Sequence, residues 1–185
     1  MARFNNCSST SLIMSENKFL KCLQTALEYF PGMTLKSGQL ECIKKLVLCH
    51  QDVLGVLLTG YRKSLIYQIL PKLFYSIKID VKKEEKDFKK VIIDLLELIR
   101  SQQVDKPVEY GIKAVTLDSS NKGTLANAEI IFGSAEQWLS EENKLMDVSV
   151  LVVDEAHTVE TWSVSIDLYL RSFVRVFKLN RTVDI

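Results

Sequence analysis

Apolar residues recur along this chain in two alternating rhythms, one helical and one extended. After a loose leader over residues 1–14, Phe19, Leu20, Leu23, Leu27 and Phe30 repeat at helical spacing behind Ser15, a suitable N-cap, and Pro31-Gly32 stops the run. Leu40, Ile43, Leu46 and Val47 share one face of a second helix, from about Gln39 to Leu48. Val53–Leu58 is then almost continuously apolar, the pattern of a strand buried on both faces of a parallel sheet. Thr59-Gly60-Tyr61-Arg62 reads as a turn, and Lys63–Phe74 as a helix interrupted near Pro71.

The charge-dense run from Lys78 to Lys90 has the mixed signs of a solvated insert or an exposed helix end. Val91–Ile93 predicts a strand, followed by a helix through about Gln103. Ile112–Leu117, Glu129–Phe132 and Ser149–Val153 are further short β-rich runs with helix or loop between them. From Ser163 onward the pattern gives no closing element. Strands alternating with helices predict an α/β domain whose mostly parallel sheet is flanked by helices.

Composition changes this picture little. The chain has 185 residues, 47% hydrophobic and 25% charged, enough for one ordinary domain with a real core. Its formal net charge of +1 gives no global case for or against nucleic acid, so a binder would have to gather its basic residues on one face. Cys7, Cys22, Cys42 and Cys49 form no CxxC pair and only His50 and His157 accompany them, which implies neither a zinc site nor a disulfide framework. Reduced thiols, no signal peptide and no bilayer-length apolar segment predict a soluble intracellular protein with no membrane partner.

Two places carry candidate chemistry. A strand, a turn and a helix opening on Lys63-Ser64 make the setting of a phosphate-binding loop, in which backbone N–H groups of the turn cradle phosphates. Thr59 and Gly60 belong to that turn, Lys63 reaches the β- and γ-phosphates, and the Ser64 hydroxyl sits on Mg²⁺. The usual glycine before the lysine is Arg62 here. Its Cβ and long side chain compete for the ligand's space, and the backbone angles a glycine permits cost other residues about 1 kcal/mol or more, which predicts weakened nucleotide binding. A chance Thr-Gly-x-x-Lys-Ser in a surface turn is the competing reading.

The second place is Leu151-Val152-Val153-Asp154-Glu155-Ala156-His157, an aliphatic strand that ends in two carboxylates. Open α/β sheets bind ligands at that carboxyl edge. Asp154 there holds the metal and Glu155 orients and deprotonates the attacking water. An acidic start to a helix is the competing reading.

Taken in order, these residues resemble the first RecA-like lobe of superfamily 2 helicases, and the RecQ-like DNA helicases in particular. Leu35–Ile43 looks like that family's leading motif, which puts Gln39 at the adenine; a solvated glutamine at a helix start is the alternative. Thr59–Gln68 is similar to its phosphate loop, including Tyr67-Gln68, apart from Arg62. Val91–Ile99 resembles its motif Ia, with Ile93-Asp94 in place of Ser-Pro, so that an acid stands where DNA phosphate passes. Gly111–Ala114 and Ile131–Glu136 follow the family's order, Asp154–His157 is its motif II, and Thr158–Trp162 resembles the start of its aromatic-rich loop.

The resemblance implies a P-loop NTPase, RecA-like fold over residues 31–162, preceded by a leader and helix over 1–30 and followed by a divergent tail over 163–185. It implies ATP and Mg²⁺ as cofactors, with Lys63 and Glu155 catalytic, Gln39, Thr59, Gly60, Lys63, Ser64 and Asp154 binding nucleotide, and Ser64 and Asp154 holding the metal. Ser134 and Trp162 are its candidates for contact with single-stranded or forked DNA, although Trp162 reads equally as partly buried core. The function implied is the ATP-binding lobe of a 3′→5′ DNA helicase for repair and recombination in the nucleus, completed by a second RecA-like lobe from further sequence. The alternative is a degenerate, non-hydrolysing lobe that binds DNA or protein.

Overall fold

The structure, a computed structural model, describes residues 14–57, 60–80, 90–94, 100–117, 125–133, 137, 148–153 and 175–181. Two helices come first, α1 (Glu16–Leu27) and α2 (Ser37–Val47). They are followed by β1 (Val53–Leu57), α3 (Ser64–Gln68), α4 (Leu70–Asp80), β2 (Lys90–Asp94) and α5 (Arg100–Glu109). Four strands complete the described chain: β3 (Ala114–Thr116), β4 (Ile130–Gly133), β5 (Val148–Val153) and β6 (Arg175–Arg181).

Among the described residues six strands form one sheet in the order β1-β6-β5-β2-β4-β3, and each of their pairings is parallel. Consecutive strands β1 and β2 are therefore not neighbours: β6 and β5 lie between them, and the helical stretch α3–α4 is part of the crossover that parallel pairing requires. This is the α/β architecture expected from the alternating pattern. The strand β6 is the exception, because it arises where no closing element was expected. It is the strand that joins β1 to the rest of the sheet.

The main core fills one side of the sheet. Phe19, Leu23 and Ala26 of α1, Ile43 and Leu46 of α2, and Ile66, Leu70 and Leu73 of α3 and α4 meet Val53, Ile130, Phe132, Val150 and Val152 there. Ile131 points the other way and joins a smaller cluster with Leu117, Leu125 and Ala128. β4 is thus buried on both faces. β1 is not: Val53 and Gly55 are buried, but Leu54 and Val56 are 56% and 46% exposed, against the two-sided burial its apolar run predicted. Its place at the sheet's edge, with α2 packed on one side, accounts for the difference.

Helix boundaries follow local chemistry. Ser15 has the extended backbone of an N-cap and its carbonyl accepts from Phe19 N, but its side chain makes no capping bond. The break near Pro71 falls at Ile69, between α3 and α4; a proline there has no N–H for the carbonyl one turn back. α5 runs six residues past Gln103 and closes with Ile112 N donating to Pro107 O and Gly111 N to Val108 O. Gly111, at φ +66, supplies the left-handed residue of that closing turn. Lys78 and Asp80 end α4, and the rest of the charged run before Lys90 lies outside the described residues.

Beside this turn lies a nearly buried polar group. Lys72 Nζ donates to Gly111 O at 2.8 Å, stands 3.4 Å from Glu129 Oε1 and faces the Tyr29 ring, while Glu129 Oε2 accepts from Lys113 N. The side chains of Lys72 and Glu129 are only 12% and 11% exposed. The entries to β3 and β4 are thereby tied to α4 at the end of the sheet opposite the strands' carboxyl termini. Cys22 and Cys42 are buried free thiols, and burial, with Glu41 adding to it, pushes Cys42 up to about 11. Cys49 is disulfide-bonded, where the sequence predicted thiols throughout.

Removing a nearly buried ionic partner leaves the other charge without compensation. Glu129→Ala is therefore expected to lower unfolding free energy in urea by about 2–3 kcal/mol. Glu16, which pairs with Lys44 but is 59% exposed, is the control: Glu16→Ala should cost less than about 0.5 kcal/mol.

Candidate functional site

At the carboxyl end of β1 the chain passes through the turn at Gly60–Lys63 and enters α3 at Ser64. Gly60 has φ +78 and Arg62 has φ +50, so two of three successive residues lie in the left-handed region. Glycine adopts that conformation freely, whereas for an arginine it costs about 1–2 kcal/mol. The backbone does take the angles that favour glycine. The side chain, however, turns toward the segment before α2, where Nη1 lies 2.8 Å from Met33 Sδ.

Surroundings hold the turn in this shape. Gln39, on the first turn of α2, is 1% exposed and makes three hydrogen bonds. Its Oε1 accepts from Lys36 N at 2.8 Å, and its Nε2 donates to Tyr61 O at 2.8 Å and Arg62 O at 3.0 Å. Lys36 opens α2 without a side-chain acceptor of its own, so the Gln39 carbonyl caps the helix while its amide grips the loop. Lys36 Nζ also sits 4.2 Å from the centre of the Tyr61 ring. On another side, a Cβ added to Gly38 would stand 3.3 Å from Leu57 Cδ2 and 3.8 Å from Tyr61 Cε1, so the start of α2 packs closely on the strand end and the turn.

The resemblance assigned Gln39 to the adenine. In the structure both amide hydrogens go to the loop, and the side chain is buried. Its observed work is to fasten α2 to the phosphate-type turn. Lys36, Gly38, Met33 and Tyr61 complete that fastening and were not singled out from sequence. Their partners lie about twenty residues away or more, and no local periodicity marks such a pair.

Lys63 takes the N-cap position of α3 with helical backbone angles, and Ser64 is the helix's first residue. Leu65 N bonds Arg62 O and Ile66 N bonds Lys63 O, which fixes the first turn tightly. Gly60, Lys63 and Ser64 are thus brought together at one edge of the sheet, with Gln39 behind them. Asp94 ends β2 in register with Gly133 of β4 and Val153 of β5. Gly133 and Val153 are thus the last described residues of β4 and β5, level with Asp94. Thr59, Ser134, Asp154, Glu155 and Trp162 themselves lie outside the described residues. Among the described residues, no group of His, Cys, Asp or Glu side chains could hold a metal ion.

Replacing a buried amide that satisfies three backbone groups should be costly even when volume is kept. Gln39→Met is expected to reduce stability by about 2–3 kcal/mol in a urea titration. A loss under about 0.5 kcal/mol, the range of an ordinary surface change, would show that the loop does not depend on it.

The DEAD/DEAH box helicase family matches residues 36–180, from the residue before α2 to within one residue of the end of β6. The ATP-dependent DNA helicase RecQ of Bacillus subtilis (strain 168) is 27% identical over 148 residues, which is 72% of this chain and 23% of that protein. The chain therefore spans about a quarter of the length of this curated relative. Among solved structures, the UvsW helicase of bacteriophage T4 superposes with a TM-score of 0.65 at 16% identity, over 91% of this chain and 60% of that one. The DUF1998 helicase MrfA bound to DNA gives 0.61 at 14% identity, over 92% and 26%. At these identities the structural likenesses speak for the fold. With most of its length inside the family match, and with a parallel sheet that carries a phosphate-type turn at its carboxyl edge, the chain belongs to the DEAD/DEAH box helicases.

Proposed function

We propose that this chain is the ATP-binding lobe of a RecQ-like 3′→5′ DNA helicase. It would act on single-stranded or forked DNA in repair and recombination in the nucleus, with a second RecA-like lobe supplied by further sequence. The observation that carries the reading is the turn itself. Gly60 and Arg62 both hold left-handed conformations, and the Gln39 amide fixes the carbonyls on either side of the Tyr61–Arg62 peptide's end. A loop held this way keeps the shape that a phosphate cradle needs despite the arginine.

In this reading Lys63 binds the β- and γ-phosphate oxygens and holds their charge in place. The Ser64 hydroxyl and the Asp154 carboxylate hold Mg²⁺, which when bound neutralises phosphate charge. Glu155 orients the attacking water and accepts its proton. β6 lies between β1 and β5, so these two strands stand two strand spacings apart, about 9–10 Å. Ser134 and Trp162 would serve a DNA strand, Trp162 by stacking on a base.

A second reading is favoured by one feature. Asp94 ends β2 level with Gly133 and Val153, and an acid there repels a DNA phosphate. In that reading the lobe has stopped turning over and only binds, either a protein or DNA at a place away from Asp94.

Isothermal titration of the chain with Mg-ATP separates the two. The first reading expects saturable binding that Lys63→Ala weakens by about 10- to 100-fold, the worth of one charge-assisted hydrogen bond. No binding by the natural chain would leave the second reading standing.

A further inference from the structure

Gln39 has no hydrogen left to give to a base. A carboxamide reads adenine by two contacts at once: its oxygen accepts from the N6 amine and its nitrogen donates to N7. The nitrogen carries only two hydrogens. In Gln39 they go to Tyr61 O at 2.8 Å and Arg62 O at 3.0 Å, while the oxygen accepts from Lys36 N at 2.8 Å.

Access points the same way. Gln39 is 1% exposed, and the start of α2 lies close against the strand end and the turn, with Gly38 on Leu57 and Tyr61. A base can reach the amide only by lifting α2 off that turn. The two uses of the amide also compete, because turning it to a base strips Tyr61 O or Arg62 O of its donor. A good bidentate base contact is worth about 5- to 150-fold in affinity, and leaving a shielded carbonyl without its donor costs about as much. The exchange would further release Arg62 from the brace on its left-handed backbone, at φ +50. Reading the base therefore gains nothing and loosens the turn that holds the phosphates.

We propose that the nucleotide site of this chain is indifferent to the base, because Gln39 is a positioning residue of the turn and not a reader of adenine. The site takes Mg-nucleoside triphosphates as a class, purine or pyrimidine, and holds them by the phosphate chain. The inference rests on the proposed ATP-binding reading and widens its substrate class. Gln39 is the residue that the family resemblance set against adenine, so its commitment to the loop removes the contact on which selectivity would rest.

The test titrates the natural 185-residue chain calorimetrically with Mg-ATP, Mg-GTP, Mg-UTP and Mg-7-deaza-ATP, in which a C–H replaces the N7 acceptor. The dissociation constants should all agree within about fivefold, the least that a bidentate base contact contributes. A spread beyond about fivefold among Mg-ATP, Mg-GTP and Mg-UTP overturns the proposal, because the base is then being read. Mg-7-deaza-ATP weaker than Mg-ATP by more than about fivefold overturns it as well, and returns an amide hydrogen to N7. A chain that binds none of these nucleotides is a different failure: it removes the ATP-binding reading, and this inference with it.

Discussion

A single buried carboxamide governs the geometry of the candidate site. Gln39 is removed from water, so each of its polar atoms needs a protein partner. It finds them in Lys36 N, Tyr61 O and Arg62 O. Those bonds join a helix start to a loop more than twenty residues later in the chain. The remaining contacts, Lys36 on the Tyr61 ring, Gly38 against Leu57 and Arg62 on Met33, close around the same joint. Arg62 can hold a left-handed backbone because its surroundings determine that conformation several times over.

The sheet supplies the rigid base for this joint. Among the described residues β1 is an edge strand bound to the rest of the sheet through β6, so the turn at Gly60–Lys63 is positioned by a strand that comes last in the described chain. Correct placement of the turn thus depends on long-range pairing between residues 53–57 and 177–181, and local pattern contributes little. At the opposite end, the Lys72–Glu129 pair and the Schellman-type close of α5 fix the entries to β3 and β4. The two ends of the sheet are therefore held by different means, one by a neutral amide and the other by a nearly buried ion pair.

Much of this was legible in the residues. The helical spacing of Phe19, Leu23 and Phe30, and the short aliphatic runs at 53–57, 91–93, 130–132 and 149–153, announce elements by their own local composition. β6 escaped notice because Arg175, Lys178, Asn180 and Arg181 interrupt its apolar residues, and its strand character comes from neighbours on both sides. The exposure of Leu54 and Val56 was hidden too, since an apolar run does not reveal whether its strand lies at the centre or the edge. In the site, Gly60, Lys63 and Ser64 were recognisable from the turn. The bond partners of Gln39 were not, because a glutamine at a helix start reads the same whether it faces solvent, a base or a distant loop.

The central claim is that the brace on Tyr61 and Arg62, rather than a glycine before Lys63, gives the phosphate turn its shape. Mg-ATP affinity of the natural chain against Arg62→Gly tests this most directly. A loop already held in the left-handed conformation gains stability from the glycine, about 1 kcal/mol, but little affinity, so the two dissociation constants should agree within about threefold. A glycine variant that binds tenfold or more tightly than the natural chain would contradict the account, and would show that the arginine, not the brace, sets the turn's capacity for phosphate.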